Sequence, residues 1–320
     1  MNADSNETEY APFTGRENND FARNYKFRSY LDQLPLNQIL MENEQFIVLW
    51  IHKSQFSYGF SGINPLKQLR QKTLKICSTH PGNSDYGYNE NRYLLLFDKK
   101  TQKIVALNGL GYVDNGRKQR EGKKLINKNL FSIDDTLWNT AVPILVIGNL
   151  LLNDGYRQNK KALRLWWRGL GKYVGLHPSC KFLMSLVTLG SQYEAISRQL
   201  AITFFNKDPY MNERSKYVEP MKPYQSTPVK SWNNNAFTEI FQEVEELNTL
   251  IAEFESDQQG LPLPFRYYLN LGAEFLGFSA VPDDENSIIG LTWIDLTNAD
   301  LDFLELFMGQ DDAEFYLKQH

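Results

Sequence analysis

The residues with the most chemistry in their spacing lie between Asp154 and Lys172. The loop DGYRQNKK, residues 154–161, follows an apolar run and opens an amphipathic stretch. A helix N-terminus offers unpaired N–H groups and a partial positive charge, so a phosphate fits there. Arg157, Lys160 and Lys161 add cationic side chains, and Gln158 and Asn159 add amide donors. A pyrophosphate or phosphopantetheine phosphate suits that set. A plain solvated helix start has the same look, and stays open as the competing reading. Lys160, Arg164, Arg168 and Lys172 recur every four residues and so line one helix face. Such a stripe suits an acidic protein or an anionic membrane, and equally an ordinary exposed face. Tyr193 stands at the start of a later helix, where a phenol can protonate a leaving thiolate. With 17 tyrosines in the chain, a structural role is the alternative.

Other reactive side chains are not grouped. Cys77 and Cys180 have no CxxC spacing, which speaks against a disulfide framework, a zinc site or a nucleophile motif. Reduced, partly buried thiols are the expectation. Of His52, His80, His177 and His320, no two stand at metal-ligand spacing on a helix, so no metal site is predicted.

The elements that must position these groups are legible in outline. Residues 1–26 are polar and read as a flexible arm. Residues 34–51 begin with helical spacing and end in the buried-strand run FIVLWI. Residues 63–78 read as a helix, followed by a turn-rich stretch. RYLLLFD and KIVAL flank the turn KKTQ as a hairpin, and the charged residues 114–129 read as an exposed loop. Then come a strand over 144–152, a helix over 160–174, a strand over 182–189 and a helix over 193–205. The continuous apolar character of both strands implies burial on two faces. Residues 206–235, with four prolines, read as an irregular connection. A helix over 237–255, strands over 274–281 and 288–296, and short helical segments complete the chain.

The chain has 320 residues, is 42% hydrophobic and carries a net charge of −4, which excludes a generally basic nucleic-acid binder. The start, MNADSNETEYAPFTGRENND, has no apolar segment of the signal-peptide kind. The longest apolar run, 141–152, is too short to cross a bilayer. A cytoplasmic protein is expected, with peripheral contact at the inner membrane face as a further expectation.

In this order the pieces resemble the GNAT superfamily. More specifically, the chain is similar to the acyl carrier protein-dependent N-acyltransferases of the ornithine-lipid and glycine-lipid type, long labelled hemolysin-like. The resemblance is carried by INPLKQLRQKT, YLLLFDKKTQKIVALNGLG, YRQNKKALRLWWRGLGKYV, VTLGSQYEAISRQLA, LPLPFRYYLNLGAEFLGF and FLELFMGQDDAEFYLKQH. It implies an α/β fold with a mixed central sheet flanked by helices, as one domain over 27–320. The expected core spans about 45–205, with an extension over 206–320.

The activity implied is transfer of a fatty acyl group from an acyl carrier protein or coenzyme A thioester to an amino-acid amine. No permanently bound cofactor is implied. In such a fold the fourth strand bulges and its backbone N–H groups polarise the thioester carbonyl. That role would fall on Ile147 and Gly148. Arg157, Gln158, Asn159, Lys160, Lys161, Arg164 and Arg168 would hold the carrier and its phosphopantetheine, and Tyr193 would protonate the thiol. The family reads Glu-Leu-Gly-Arg at the fourth strand, where this chain has Val146, Ile147, Gly148 and Asn149. The charged groups of the C-terminal hairpin are likewise replaced, at Val281-Pro282 and Ile289-Gly290-Leu291. A substitute base, such as Asp85 or Glu219, would then be needed. The alternative is a catalytically degenerate member that binds an acyl carrier or pairs with an active paralogue.

Overall fold

The structure, a computed structural model, describes residues 34–52, 55, 92–114, 125–126, 128–224, 243–282 and 284–320. The expected arm, the helix expected at 63–78, the turn-rich stretch after it, and Cys77, His80 and Asp85 lie outside the described residues.

The run FIVLWIH forms β2 (Phe46–His52), which pairs antiparallel with β1 (Ile39–Glu42) and with β3 (Arg92–Asp98). Strand β1 replaces the helix expected there. The Asn43 side chain accepts hydrogen bonds from the N–H groups of Gln45 and Phe46, closing a tight turn that folds the segment back onto β2. A one-turn 3-10 helix, Leu36–Gln38, is all that remains of the helical spacing. β3 pairs with β4 (Lys103–Val113), which continues six residues beyond the expected KIVAL.

Next across the sheet come β6 (Ile144–Ile147) and β7 (Leu151–Leu152), both antiparallel to β4, and then β8 (Phe182–Leu189), parallel to β6. β11 (Asp284–Asp295) and β10 (Glu274–Val281) complete the order β1-β2-β3-β4-β6-β8-β11-β10. Every pairing but β6–β8 is antiparallel. A separate ladder joins β5 (Phe131–Ile133) to β9 (Val218–Pro220). Because β11 pairs with β8, the sheet runs on into residues expected to form an extension.

Six described helices follow from the sequence: α1 (Lys160–Gly175), α2 (Ala195–Phe205), α3 (Val244–Phe254), α4 (Leu263–Asn270), α5 (Leu301–Met308) and α6 (Gln310–Gln319). Asn159 caps α1, and reciprocal Glu243 and Glu246 contacts start α3, whose expected residues 237–242 lie outside the described set. Pro264 in the first turn of α4 is tolerated because that N–H needs no helical acceptor.

Alternation along the strands explains the unbroken apolar runs. Val48, Leu94, Leu145, Ile147 and Leu183 share a core with side chains from all six helices, among them Trp166, Phe205, Ile251, Phe265, Phe307 and Tyr316. Their strand neighbours Ile144, Val146, Met184 and Trp293 pack on the other face with Leu125, Trp138 and Val218. Leu125 and Ile126, expected in an exposed loop, are buried there. Each large side chain so buried contributes about 1.5–3 kcal/mol. Among the described residues no helix is long and apolar enough to cross a membrane.

Candidate functional site

The run expected as one strand over 144–152 is broken. Leu110 pairs with Ile147 and Leu107 with Leu151, so three steps along β4 face four along its partner. The extra residue makes a β-bulge at 148–150. A buried polar chain holds it. Gly148 donates its N–H to Gly109 O at 2.9 Å. The Asn108 carboxamide donates to Gly148 O at 2.9 Å and accepts from the Trp166 indole N–H at 2.9 Å. Asn108, 1% exposed, therefore ties α1, β4 and the bulge together. Neither Asn108 nor Trp166 stood out as a site residue in the sequence. The signal was a lone polar side chain in the apolar strand KIVALNGLGYV.

Beyond the bulge the sheet opens. β6 and β8 pair only from Ile144 and Phe182 to Ile147 and Ser185, and β7 pairs with β4 but not with β8. Ile147 is laddered on both sides, and the Gly148 N–H is already engaged. Ile147 is thus held in the ladder, and Gly148 spends its N–H within the bulge. The next two N–H groups, of Asn149 and Leu150, donate to no described residue. Across the opening, Thr188 Oγ1 donates to Asn149 Oδ1 at 3.2 Å. Val146, where the resemblance expects a carboxylate, is buried in the core on the other face of the sheet, with Leu125 and Trp138.

The loop after β7 is anchored at both ends. Asn153 accepts from Gly155 N–H and donates to Ile104 O. Tyr156 donates its hydroxyl to Asp98 at 2.8 Å. Burial works to raise the Asp98 pKa, but hydrogen bonds from Thr101, Tyr156, Gln45 and Lys100 outweigh it and hold the carboxyl below its ordinary value.

The expected phosphate cradle is partly occupied by its own chain. Arg157 is paired with Asp154 at 2.8 Å. The Asn159 carboxamide oxygen caps Ala162 N–H at 3.0 Å, which fixes that side chain at the helix start. Lys160 N–H bonds Gln158 O, which leaves Lys161 N–H as the first-turn amide with no acceptor among the described residues. Gln158, Lys160, Lys161, Arg164 and Arg168 are exposed, and the four cations among them make no ion pair with a described residue. Lys172, the last of the stripe, is taken by Asp312 at 2.6 Å.

No family model matches the chain, and no curated protein matches it.

Tyr193 precedes α2 by two residues and is 8% exposed. Its hydroxyl donates to Gly260 O at 2.9 Å. Burial raises its pKa above the phenol value, the charges of Glu255 and Asp257 raise it further, and Arg157 pulls it down. The Thr188 bond to Asn149 joins the end of β8 to the residues that lead into the loop after β7. Buried Glu255 accepts the Glu194 N–H at 2.9 Å. Residues 149–161, 188–194 and 255–260 thus converge. Glu255, Asp257 and Gly260 carried no motif and were not anticipated.

Glu219 is elsewhere. It is exposed on β9, paired with Ser132, and β9 lies against β10, where Pro220 faces Gly277. Three ladders separate β10 from β6, about 14 Å at the usual strand spacing.

Among the described residues no group of three or more His, Cys, Asp or Glu is placed to hold a metal ion. His177 and His320 bond the backbone carbonyls of Tyr173 and Pro178. Burial pushes the Cys180 thiol up to about 12. At pH 8 only about one molecule in ten thousand then carries the thiolate. In a Cys77→Ser background, Cys180 is expected to react with a disulfide reagent at least roughly a hundredfold faster in denaturant than in buffer. Rapid stoichiometric labelling of the native protein would contradict this burial.

Proposed function

We propose that the chain is a GNAT-type acyltransferase that moves a fatty acyl group from the thioester of an acyl carrier protein, or of coenzyme A, to the amine of an amino acid. The observation that carries this reading is the bulge at 148–150 beside the divergence of β7 from β8. It leaves two neighbouring N–H groups, of Asn149 and Leu150, with no acceptor among the described residues, a few residues before a cationic helix start. Backbone donors fixed in advance at the point where an oxyanion develops lower the barrier without reorganising.

In this reading the carrier docks on Lys160, Lys161, Arg164 and Arg168, and its thioester enters between β7 and β8. The amine nitrogen attacks the carbonyl carbon, and the carbonyl electron pair moves onto oxygen against Asn149 and Leu150 N–H. Collapse re-forms the carbonyl and breaks the C–S bond. The departing sulfur takes the Tyr193 proton. The proton lost by the amine passes to Glu255, the buried carboxylate beside Tyr193, and returns from there to the phenolate. Amine and thioester become amide and thiol. The work is cytoplasmic, with contact at the inner membrane face where the lipid product leaves.

A second reading keeps carrier binding and omits transfer. The Tyr193 hydroxyl bonded to Gly260 and the Thr188 bridge to Asn149 favour it, since both groups must let go before chemistry.

The test mixes purified protein with a long-chain acyl carrier protein and a panel of amino acids, and follows thiol release with product mass. Amine-dependent release is expected. Tyr193→Phe is expected to lower turnover by about 10²-fold or more. The pair Arg164→Glu and Arg168→Glu is expected to raise the carrier KM about tenfold, with a steeper dependence on salt. Saturable carrier binding without release selects the second reading. Neither release nor binding ends both.

A further inference from the structure

Lys181, Arg214 and Lys216 meet in a cleft of about 510 Å³ at the opposite end of the parallel pair from the bulge. The cleft borders Val142, just before β6, and Phe182, the first residue of β8. Phe182 and Thr188 are six residues apart on one strand, about 20 Å. This cleft is therefore separate from the opening assigned above to the thioester, and its function does not rest on that assignment.

We propose that the cleft binds a phosphate-type oxyanion, carried either by a small soluble molecule or by a lipid headgroup. The cations are held in place before any ligand arrives. The Arg214 guanidinium lies 5.2 Å from the Trp293 ring centre and 5.9 Å from that of Phe182. Lys181 lies 5.3 Å over Phe182 and Lys216 5.2 Å over Tyr217. The two rings beneath Arg214 pack at 4.8 Å, so its platform is rigid. A guanidinium held over aromatic rings still offers N–H groups to an anion, and little side-chain entropy is then lost on binding.

The local carboxylates do not balance these charges. Asp295 holds Lys181 at 3.1 Å. Glu213 lines the same cleft, 3.6 Å from Arg214, but its side chain is 79% exposed and the pair is screened by water. Lys216 has no carboxylate partner among the described residues. In a chain of net charge −4, three cations against two carboxylates, one of them largely in water, leave a local positive excess that an anion relieves. The Asn139 carboxamide at the rim makes no hydrogen bond to a described residue and adds a neutral donor. One guanidinium fork suffices for a carboxylate. A phosphate has oxygens enough for all three cations.

The test is calorimetric titration of the full chain with inorganic pyrophosphate. Lys160, Lys161, Arg164 and Arg168 are first replaced by Gln, so that α1 cannot contribute. One site per chain is expected. Adding Arg214→Gln and Lys216→Gln is expected to weaken it roughly tenfold or more, while Arg214→Lys keeps part of the affinity. Lys216→Gln alone, at an exposed position, gives an intermediate loss and keeps the test sound if the double variant folds poorly. A second arm uses phosphatidylglycerol vesicles against phosphatidylcholine vesicles. Pyrophosphate binding without vesicle binding assigns a soluble ligand. Vesicle binding that pyrophosphate displaces, and that Arg214→Gln weakens, assigns a headgroup. Binding of neither probe, or binding that ignores Arg214 and Lys216, overturns the proposal.

Discussion

Asn108→Ala is expected to lower the stability of the folded chain by about 2–6 kcal/mol, read from equilibrium urea unfolding. The substitution leaves two buried groups without partners, the Gly148 carbonyl and the Trp166 indole N–H. Each orphaned group costs about 1–3 kcal/mol. Trp166→Phe removes only one end of the chain and should cost less in hydrogen bonding. Asn108→Asp separates the electrostatics from the packing. One carboxyl oxygen can still accept from Trp166, but the other meets the Gly148 carbonyl and can bond it only when protonated. Burial and that carbonyl both favour the neutral acid, so the folded-state pKa rises above the unfolded value. The variant should therefore be most stable below the unfolded carboxyl pKa, and lose stability as pH rises through the folded one. An Asn108→Ala protein within about 0.5 kcal/mol of the parent would show that the bulge does not depend on this chain of bonds.

What the sequence made legible was whatever depends on a single segment. Strand β8 falls on the expected 182–189 and α1 differs by one residue, because a run buried on both faces and a 3.6-residue repeat are each written in one stretch of chain. The bulge is different. It is a mismatch of register between β4 and its partner, and VIGNL alone does not contain it. For the same reason no local pattern marks Asn149 and Leu150, whose N–H groups have no acceptor among the described residues. Strand β1 went unrecognised because its spacing suits a helix while its turn, closed by Asn43, decides for an edge strand. The contacts that set the site's charge join residues far apart in sequence: Lys172 with Asp312, Tyr193 with Gly260, Glu194 with Glu255. No local pattern announces such pairs, and the cleft of Lys181, Arg214 and Lys216 is assembled in the same way.

Gly171→Ala in α1 should destabilise the chain by about 1–3 kcal/mol, although an alanine in mid-helix is normally the better residue by about 1 kcal/mol. A Cβ at position 171 would overlap the Phe307 carbonyl and stand 2.8 Å from the Met308 nitrogen. Both neighbours are main chain in α5, so no rotamer change relieves the contact, and the two helices must part. Their separation would also strain the Lys172–Asp312 pair one residue on and shift the stripe from Lys160 to Arg168 relative to the bulge. A melting temperature lower by several degrees is the expected readout. Gly155→Ala provides the control. Its Cβ would meet only Asn153 Oδ1, at an ordinary 3.7 Å, so the melting temperature should barely move. If Gly171→Ala raised the melting temperature, helix propensity would be the only effect at work and the close approach of α1 to α5 would be wrong. Truncation of the Phe307 side chain should not rescue the variant, since the obstacle is the carbonyl that every residue at that position carries.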